Sequence, residues 1–321
     1  CRRGYEIAEH AFVRLGKVGN RPVKIIYGDH QRDPKVGVSE FNRIIDNRAL
    51  VAVVSNSSPV GQALNPLSAQ RKIALLASSA HPRLISDNPY SFRFWLNAQR
   101  EGAGLAQEAL RRGFKKAALV THEDDYPLAV STGFMEEIQK GGGTIVFEER
   151  VLKSENDFAT IISRLRSSKA EVIFVNILGD QLSVVLKRLR EQGVSQQIFT
   201  SFSLGRQDIL VATGAAAEGA IFLEIDSDQP HFLQELKRRY GSEFASGLNF
   251  GCFTSLGTAL ALIQEHQEIG DRDQFYENLI QTHSIALLDG PIELKDREAQ
   301  FGFQYRTSQN GRLVAIRHGG H

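Results

Sequence analysis

Two short apolar runs that each break into serines limit this chain more than any other feature. Leu50-Val-Ala-Val-Val54 gives way at once to Ser55-Asn-Ser-Ser58, and Ile73-Ala-Leu-Leu76 to Ala77-Ser-Ser-Ala80-His-Pro82. Continuous Val, Ile and Leu runs separated by a helix-length segment are the pattern of strands buried on both faces of a parallel sheet. In an open α/β sheet, ligands bind beyond the carboxyl ends of the strands. The first serine cluster also feeds a helix start, where N–H groups and the dipole favour an anion. As ordinary helix caps these serines would need no ligand. Two clusters at neighbouring strand ends make both readings worth carrying forward.

The alternation extends in both directions. A helix over residues 4–15 places Ile7, Ala8, Ala11, Phe12 and Leu15 on one face and stops at Gly16 and Gly19-Asn20. Val23–Tyr27 reads as a strand, and Asp33 caps a helix with Pro34 at its first position. A βαβ lobe opens on a strand and none precedes the first helix, so the reading starts inside a domain whose first strand is missing. A second βα series begins at Lys116–Thr121 and continues through strands at Thr144–Phe147, Val172–Val175, Ile198–Ser201 and Ala220–Leu223. Helices alternate between them. Three more helices follow, and the tail pairs Phe301–Tyr305 with Leu313–Ile316 around Asn310-Gly311 as a hairpin.

At 321 residues the chain is long enough for two domains, and 42% hydrophobic with 23% charged residues is ordinary for a globular protein. Lys and Arg number 38 against 37 for Asp and Glu, so no net field draws nucleic acid or a membrane surface. No apolar run approaches the ~20 residues of a membrane span. The two cysteines, Cys1 and Cys252, have no metal-ligand spacing. A bridge between them and a lipidated leading cysteine are both open. The reading favoured here is a truncated start and a free thiol.

Signals for catalysis and cofactors fail on inspection. Gly102-Ala-Gly104 lacks the third glycine of a dinucleotide fingerprint, because residue 107 is Gln. There is no phosphate loop, nucleophile elbow or paired-His metal motif. Ser79 and His81 lie two residues apart with no orienting carboxylate, which suits a turn before Pro82 better than a nucleophile and its base. Glu123, Asp124 and Asp125 form an acidic loop, read as solvated rather than metal-binding. The expectation is no enzyme, no metal and no cofactor.

Several stretches, in order, resemble the type I periplasmic-binding proteins of ABC importers, in particular the branched-chain amino-acid-binding group. They are Asp33-Pro34-Lys35, Ser55–Ser58, Ala77–Pro82, Asp124-Asp-Tyr126, Asn156-Asp-Phe158 and Ala216-Ala-Glu-Gly219. The resemblance covers nearly the whole chain. It implies two doubly wound, Rossmann-like α/β lobes joined by three crossovers and closing on a ligand like a hinge. Crossovers would fall near Leu96–Arg100, Glu224–Ser227 and Gln300. Lobe I would be residues 1–98 plus 226–299, and lobe II residues 99–225 plus 300–321.

The resemblance also implies a site. A ligand carboxylate would meet Ser57 or Ser58 and the Ser79-Ala80 segment, and Tyr126 would reach it from the second lobe. Neutral donors at a helix start can hold a carboxylate without a buried cation. Three departures from the family pattern bear on the ligand. Leu178 stands where a tyrosine is common, no carboxylate lies near Phe202 and Ser203 to meet an ammonium, and Trp95 replaces a residue that is often basic. A buried ammonium without a partner is costly, so the departures suit an aliphatic or aromatic acid, with Phe202, Phe250 and Phe253 as candidate lining. The function implied is the periplasmic, or lipid-anchored extracytoplasmic, solute-binding component of an importer, with a membrane permease as partner. The alternatives are a ligand-sensing domain of a receptor and, from another class, a hydrolase using Ser79 and His81.

Overall fold

A computed structural model describes residues 1–155, 157–241 and 247–316. It divides into two compact units, Cys1–Asn97 with Ile225–Gly302 and Ala98–Glu224 with the chain from Phe303 onward. In the first pass through unit one come α1 (Arg2–Phe12), β1 (Lys17–Val18), β2 (Arg21–Pro22), α2 (Pro34–Ile45), β3 (Ala52–Asn56), α3 (Ser58–Gln70), β4 (Ala74–Ser78) and β5 (Ser91–Arg93). Unit two then runs α4 (Ala98–Arg111), β6 (Lys116–His122), α5 (Asp125–Lys140), β7 (Thr144–Val151), α6 (Ala159–Ser167), β8 (Val172–Asn176), α7 (Gln181–Glu191), β9 (Gln197–Thr200), α8 (Gln207–Thr213) and β10 (Ile221–Ile225). The return to unit one adds α9 (Pro230–Tyr240), α10 (Gly247–Glu265), α11 (Arg272–Gln281) and the meander β11 (Ser284–Leu287), β12 (Gly290–Lys295), β13 (Glu298–Gln300). The hairpin β14 (Phe303–Gln309) and β15 (Arg312–Ala315) completes unit two.

Unit one carries a sheet in the order β11-β12-β13-β5-β4-β3, and unit two one in the order β15-β14-β10-β9-β8-β6-β7. The strands read as buried apolar runs pair in parallel, β3 with β4 and β4 with β5, then β7, β6, β8, β9 and β10 in succession. All five residues of β4, β8 and β10 are buried, as strands covered on both faces must be. Local chemistry sets the helix ends. Asp33 Oδ1 accepts the N–H groups of Lys35 and Val36 at 2.7 and 3.3 Å, with Pro34 just inside α2. In unit two a Cβ on Gly102 would stand 1.8 Å from the Val130 carbonyl oxygen, so α4 and α5 cross backbone against backbone.

Four expectations need correction or extension. Val23–Tyr27 forms no ladder: residues 23–30 are irregular, and a cavity of about 500 Å³ lies between them and Leu50–Asn56, closed by Leu256, Leu260 and Ile263 of α10. Strand propensity at Val23–Tyr27 is real, but a strand exists only where a neighbour supplies hydrogen bonds. The first helix ends at Phe12, leaving Leu15 fully exposed in a turn rather than on the buried face. Cys1 is not a free thiol. Its sulfur is bonded to that of Cys252, because α1 lies close along α10, Gly4 sits against the Asn249 backbone, and the two Cα atoms come within 5.2 Å. The β11–β13 meander adds strands where the sequence suggested none. Asn156 lies outside the described residues, while Phe158 beside it is buried and Asp157 accepts the Ala159 N–H. Among the described residues, no helix is long and apolar enough to cross a membrane.

Candidate functional site

In unit one the two serine clusters meet. β3 and β4 are parallel neighbours with Asn56 opposite Ser78, so the segments leaving both strands emerge at the same edge. Ser57 turns the chain from β3 into α3 with φ 77° and ψ 126°, a conformation costly for any residue but glycine. It makes no side-chain cap, and Pro59 occupies the first turn of α3. Ser58 is half-buried, and its Oγ accepts the Ala80 N–H at 3.1 Å. Since that oxygen is already an acceptor, its own proton is available to donate elsewhere. Ser79 and Ala80 are buried; the Ser79 Oγ accepts the His81 N–H at 3.4 Å and so turns back into its own loop. Gly61 makes this approach possible, because a Cβ there would lie 3.1 Å from that of Ser79.

The 79–91 connection is held from behind by two arginines that the sequence reading missed. Arg93, 1% exposed, donates to the carbonyls of Ser79, His81 and Pro82 at 3.0, 2.7 and 3.2 Å, and its Nε meets Glu298 at 3.1 Å. Arg297 donates to the carbonyls of Asn88, Ser91 and Ile85 at 2.6, 3.2 and 3.0 Å. A lone cation inside the apolar run Phe92–Leu96 was the available signal for Arg93, since a fully buried arginine is rare unless paired. Asn88 completes the support by donating to Asn65 and Ser68 of α3. Phe250 belongs to unit one as well. It packs on α10 with Phe232, Phe253 and Phe301 at centroid distances of 5.2, 5.9 and 6.2 Å. Trp95 is buried against Gly251 of the same helix.

Unit two gathers the remaining candidates at the carboxyl ends of its own strands. Tyr126, in the first turn of α5, is 8% exposed and donates to both carboxyl oxygens of Glu101 at 2.9 and 2.7 Å. Burial pushes Glu101 up to about 8, partly opposed by that hydrogen bond. The Tyr126 ring meets Phe202 edge-on at 5.8 Å, and Phe202 is half-buried. The Ser203 Oγ accepts the Gly179 N–H at 3.3 Å, and the Leu178 N–H donates to His122 Nδ1 at 3.1 Å. With Nδ1 accepting, the His122 proton sits on Nε2 and is donated to Gln181 Oε1 at 2.6 Å. Burial lowers the His122 pKa, which favours this neutral form.

The acidic loop is structural: Asp124 accepts the Asp125 N–H at the head of α5 and pairs with Lys153 at 2.6 Å. Among the described residues no group of three or more His, Cys, Asp or Glu is placed to hold a metal ion. Unit one therefore presents a hydroxyl and helix-start amides, chemistry suited to an anion, while unit two presents an aromatic edge and a small hydroxyl whose neighbours are satisfied among themselves.

Comparison with known proteins agrees with this architecture. The model of the periplasmic binding protein family matches residues 1–316. An amino acid binding protein of Pseudomonas aeruginosa is 22% identical over 219 residues, which are 66% of this chain and 58% of that protein. The chain thus spans less than two thirds of the length of the curated relatives it matches. Among solved structures, a leucine-binding protein from Thermotoga maritima superposes with TM-score 0.87 at 19% identity, covering 98% of this chain and 92% of that one. A solute-binding protein of an ABC transporter from Rhodopseudomonas palustris, in complex with 3,4-dihydroxybenzoic acid, superposes with TM-score 0.83 at 18% identity, covering 98% and 90%.

Proposed function

The chain belongs to the periplasmic binding protein family, and from that premise we propose that it is the extracytoplasmic solute-binding component of an ABC importer, taking a small organic carboxylate and passing it to a membrane permease. The observation that carries the ligand class is the unit-one rim. Ser58 is held by the Ala80 N–H with its own proton to spare, at the start of a helix that has no side-chain cap. A carboxylate there would accept from the Ser58 hydroxyl and from the first N–H groups of α3. Ser57 and the Ser79-Ala80 backbone shape that seat. Leu178, Phe202, Ser203 and Tyr126 are the proposed contributors from unit two, and Phe250 is a further one from unit one.

Within carboxylates we propose that acids without an α-ammonium are preferred. In the unit-two cluster Phe202 meets the ring of Tyr126, whose hydroxyl is spent on the buried Glu101, a carboxyl that holds its proton up to about pH 8. It is poorly placed and poorly charged to meet an ammonium, whereas Phe202 offers an aromatic edge. The complex of the Rhodopseudomonas palustris protein with an aromatic acid and the name of the Thermotoga maritima protein bracket the two options.

A thermal-shift and calorimetric screen with leucine, isoleucine, benzoate, 4-hydroxybenzoate, glucose and adenosine tests the proposal. Stabilisation of several degrees by an aromatic acid, exceeding that by leucine, is the expected result. Preference for leucine would overturn the narrower proposal. Stabilisation by a sugar or nucleoside, with none by any acid, would overturn the carboxylate reading altogether.

A further inference from the structure

We propose that Arg93 is the cation of the unit-one rim, a positioning residue that acts on a bound carboxylate through the Ser79–Ala80 peptide and the Ser58 hydroxyl without touching the ligand. The inference rests on the reading of Ser58 as a carboxylate donor and adds to it where the compensating charge sits.

The geometry is a chain of three donors. Arg93 Nη1 donates to the Ser79 carbonyl at 3.0 Å. That carbonyl and the Ala80 N–H belong to one planar trans peptide and point in opposite directions. A guanidinium on the carbonyl side therefore aims the N–H away from itself, and the Ala80 N–H indeed ends on Ser58 Oγ at 3.1 Å. Ser58, accepting there, is left to donate its proton outward. Each bond in such a series polarises the next, by about 10–30% per bond in condensed phase. The guanidinium stays charged at any working pH, and with Arg93 only 1% exposed solvent does little to screen it. Two further bonds, to the carbonyls of His81 and Pro82, fix its plane beneath the loop. Glu298 shares the charge at 3.1 Å, and its side chain is 20% exposed, so the pair is not equally desolvated. Flanked by the buried Phe92 and Phe94, Arg93 at the end of β5 thus carries its cation to the back of the anion seat.

The competing account is a loop clamp with no electrostatic role, and a matched pair of ligands separates the two. Binding of benzoate and benzamide, or of leucine and leucinamide if leucine is the better acid, is measured for wild type, Arg93→Gln, Arg93→Lys, Glu298→Gln and Ser58→Ala. Arg93→Gln is expected to weaken the acid at least tenfold while changing the amide less than threefold, with Arg93→Lys recovering part of the loss. Equal loss for acid and amide would overturn the proposal and leave a clamp. Should Arg93→Gln fail to melt cooperatively, Glu298→Gln decides. Freed of its counter-charge, Arg93 should tighten the acid at least threefold relative to the amide, and an unchanged ratio overturns the proposal. Ser58→Ala separates the role of the rim from that of the cation behind it. If it leaves acid binding intact, the rim reading itself fails; if it weakens the acid while Arg93→Gln spares the acid-to-amide ratio, only the role of Arg93 fails.

Discussion

The two units answer the same structural problem, how to support a strand-end rim, with opposite chemistry. Behind Ser58 lies a charged group, Arg93, spread over three backbone carbonyls and one carboxylate. Behind Tyr126 lies a carboxyl that burial keeps protonated, Glu101, and beside it a histidine fixed in its neutral form by Leu178 and Gln181. One rim is backed by a cation, and Tyr126 on the other by a carboxyl that holds its proton. Under the proposal above, recognition of an anion would fall to unit one and shape and apolar contact to unit two. The contrast also bears on mechanical support: unit one has its first helix bonded covalently to α10, and among the described residues unit two has no disulfide.

The largest effect expected is on that last difference. Cys252→Ser should cost about 2–4 kcal/mol. Hydrogen exchange should show the loss in α1 and α10, with α4 and α5 of unit two keeping their protection. Equal loss in both would mean the units do not differ in this respect. Next in size, Ser58→Ala removes a hydrogen bond to a charged ligand, worth about 1.5–3 kcal/mol, or roughly 10- to 100-fold in Kd by titration calorimetry. The Ala80 N–H loses its acceptor in the same variant, so the protein without ligand should also lose about 1–3 kcal/mol of stability. Third, Glu101 gives the uncharged rim a pH signature. Its pKa is raised from 4.5 to about 8 on folding, so its contribution is fully present below 4.5 and is lost as pH rises towards 8. Glu101→Gln cannot ionise, and its stability relative to wild type should climb steadily across that window. A gap that stays constant with pH would show Glu101 to be ionised in the fold. The smallest effect is that of Tyr126→Phe. Both contacts of the hydroxyl go to Glu101, so the loss should be about 0.5–1.5 kcal/mol of stability with acid affinity within threefold. A tenfold loss of affinity without loss of stability would instead make the hydroxyl a ligand contact.

Much of the sheet was legible because its strands are buried on both faces: Val172–Val175 or Ile73–Leu76 admits few other structures. The start of α2 was legible because Asp33-Pro34 is a local signal. The features that escaped depend on a distant partner or lack a clear pattern. Val23–Tyr27 has the composition of a strand but no ladder beside it. Ser284–Gln300 pairs mostly with itself across short turns, but its strands alternate in burial and carry charges, which hides them among loops. Cys1 and Cys252 are 251 residues apart, and only the packing of α1 on α10 brings them together. For the site, the hydroxyl clusters could be read, since strand ends and helix starts are local. Glu101 and His122 could not, because a side chain that faces inward towards another segment leaves no periodic mark in its own, and Arg93 left only one sign, a lone cation inside an apolar run.

The bond between Cys1 and Cys252 also carries a consequence for when the molecule matures. Thiols kept reduced in a cytosol would leave the first helix held to unit one by packing alone, so a chain made there would be looser until it reached an oxidising space. Material produced in a reducing host should accordingly gain stability on exposure to mild oxidant, without any other change to the chain.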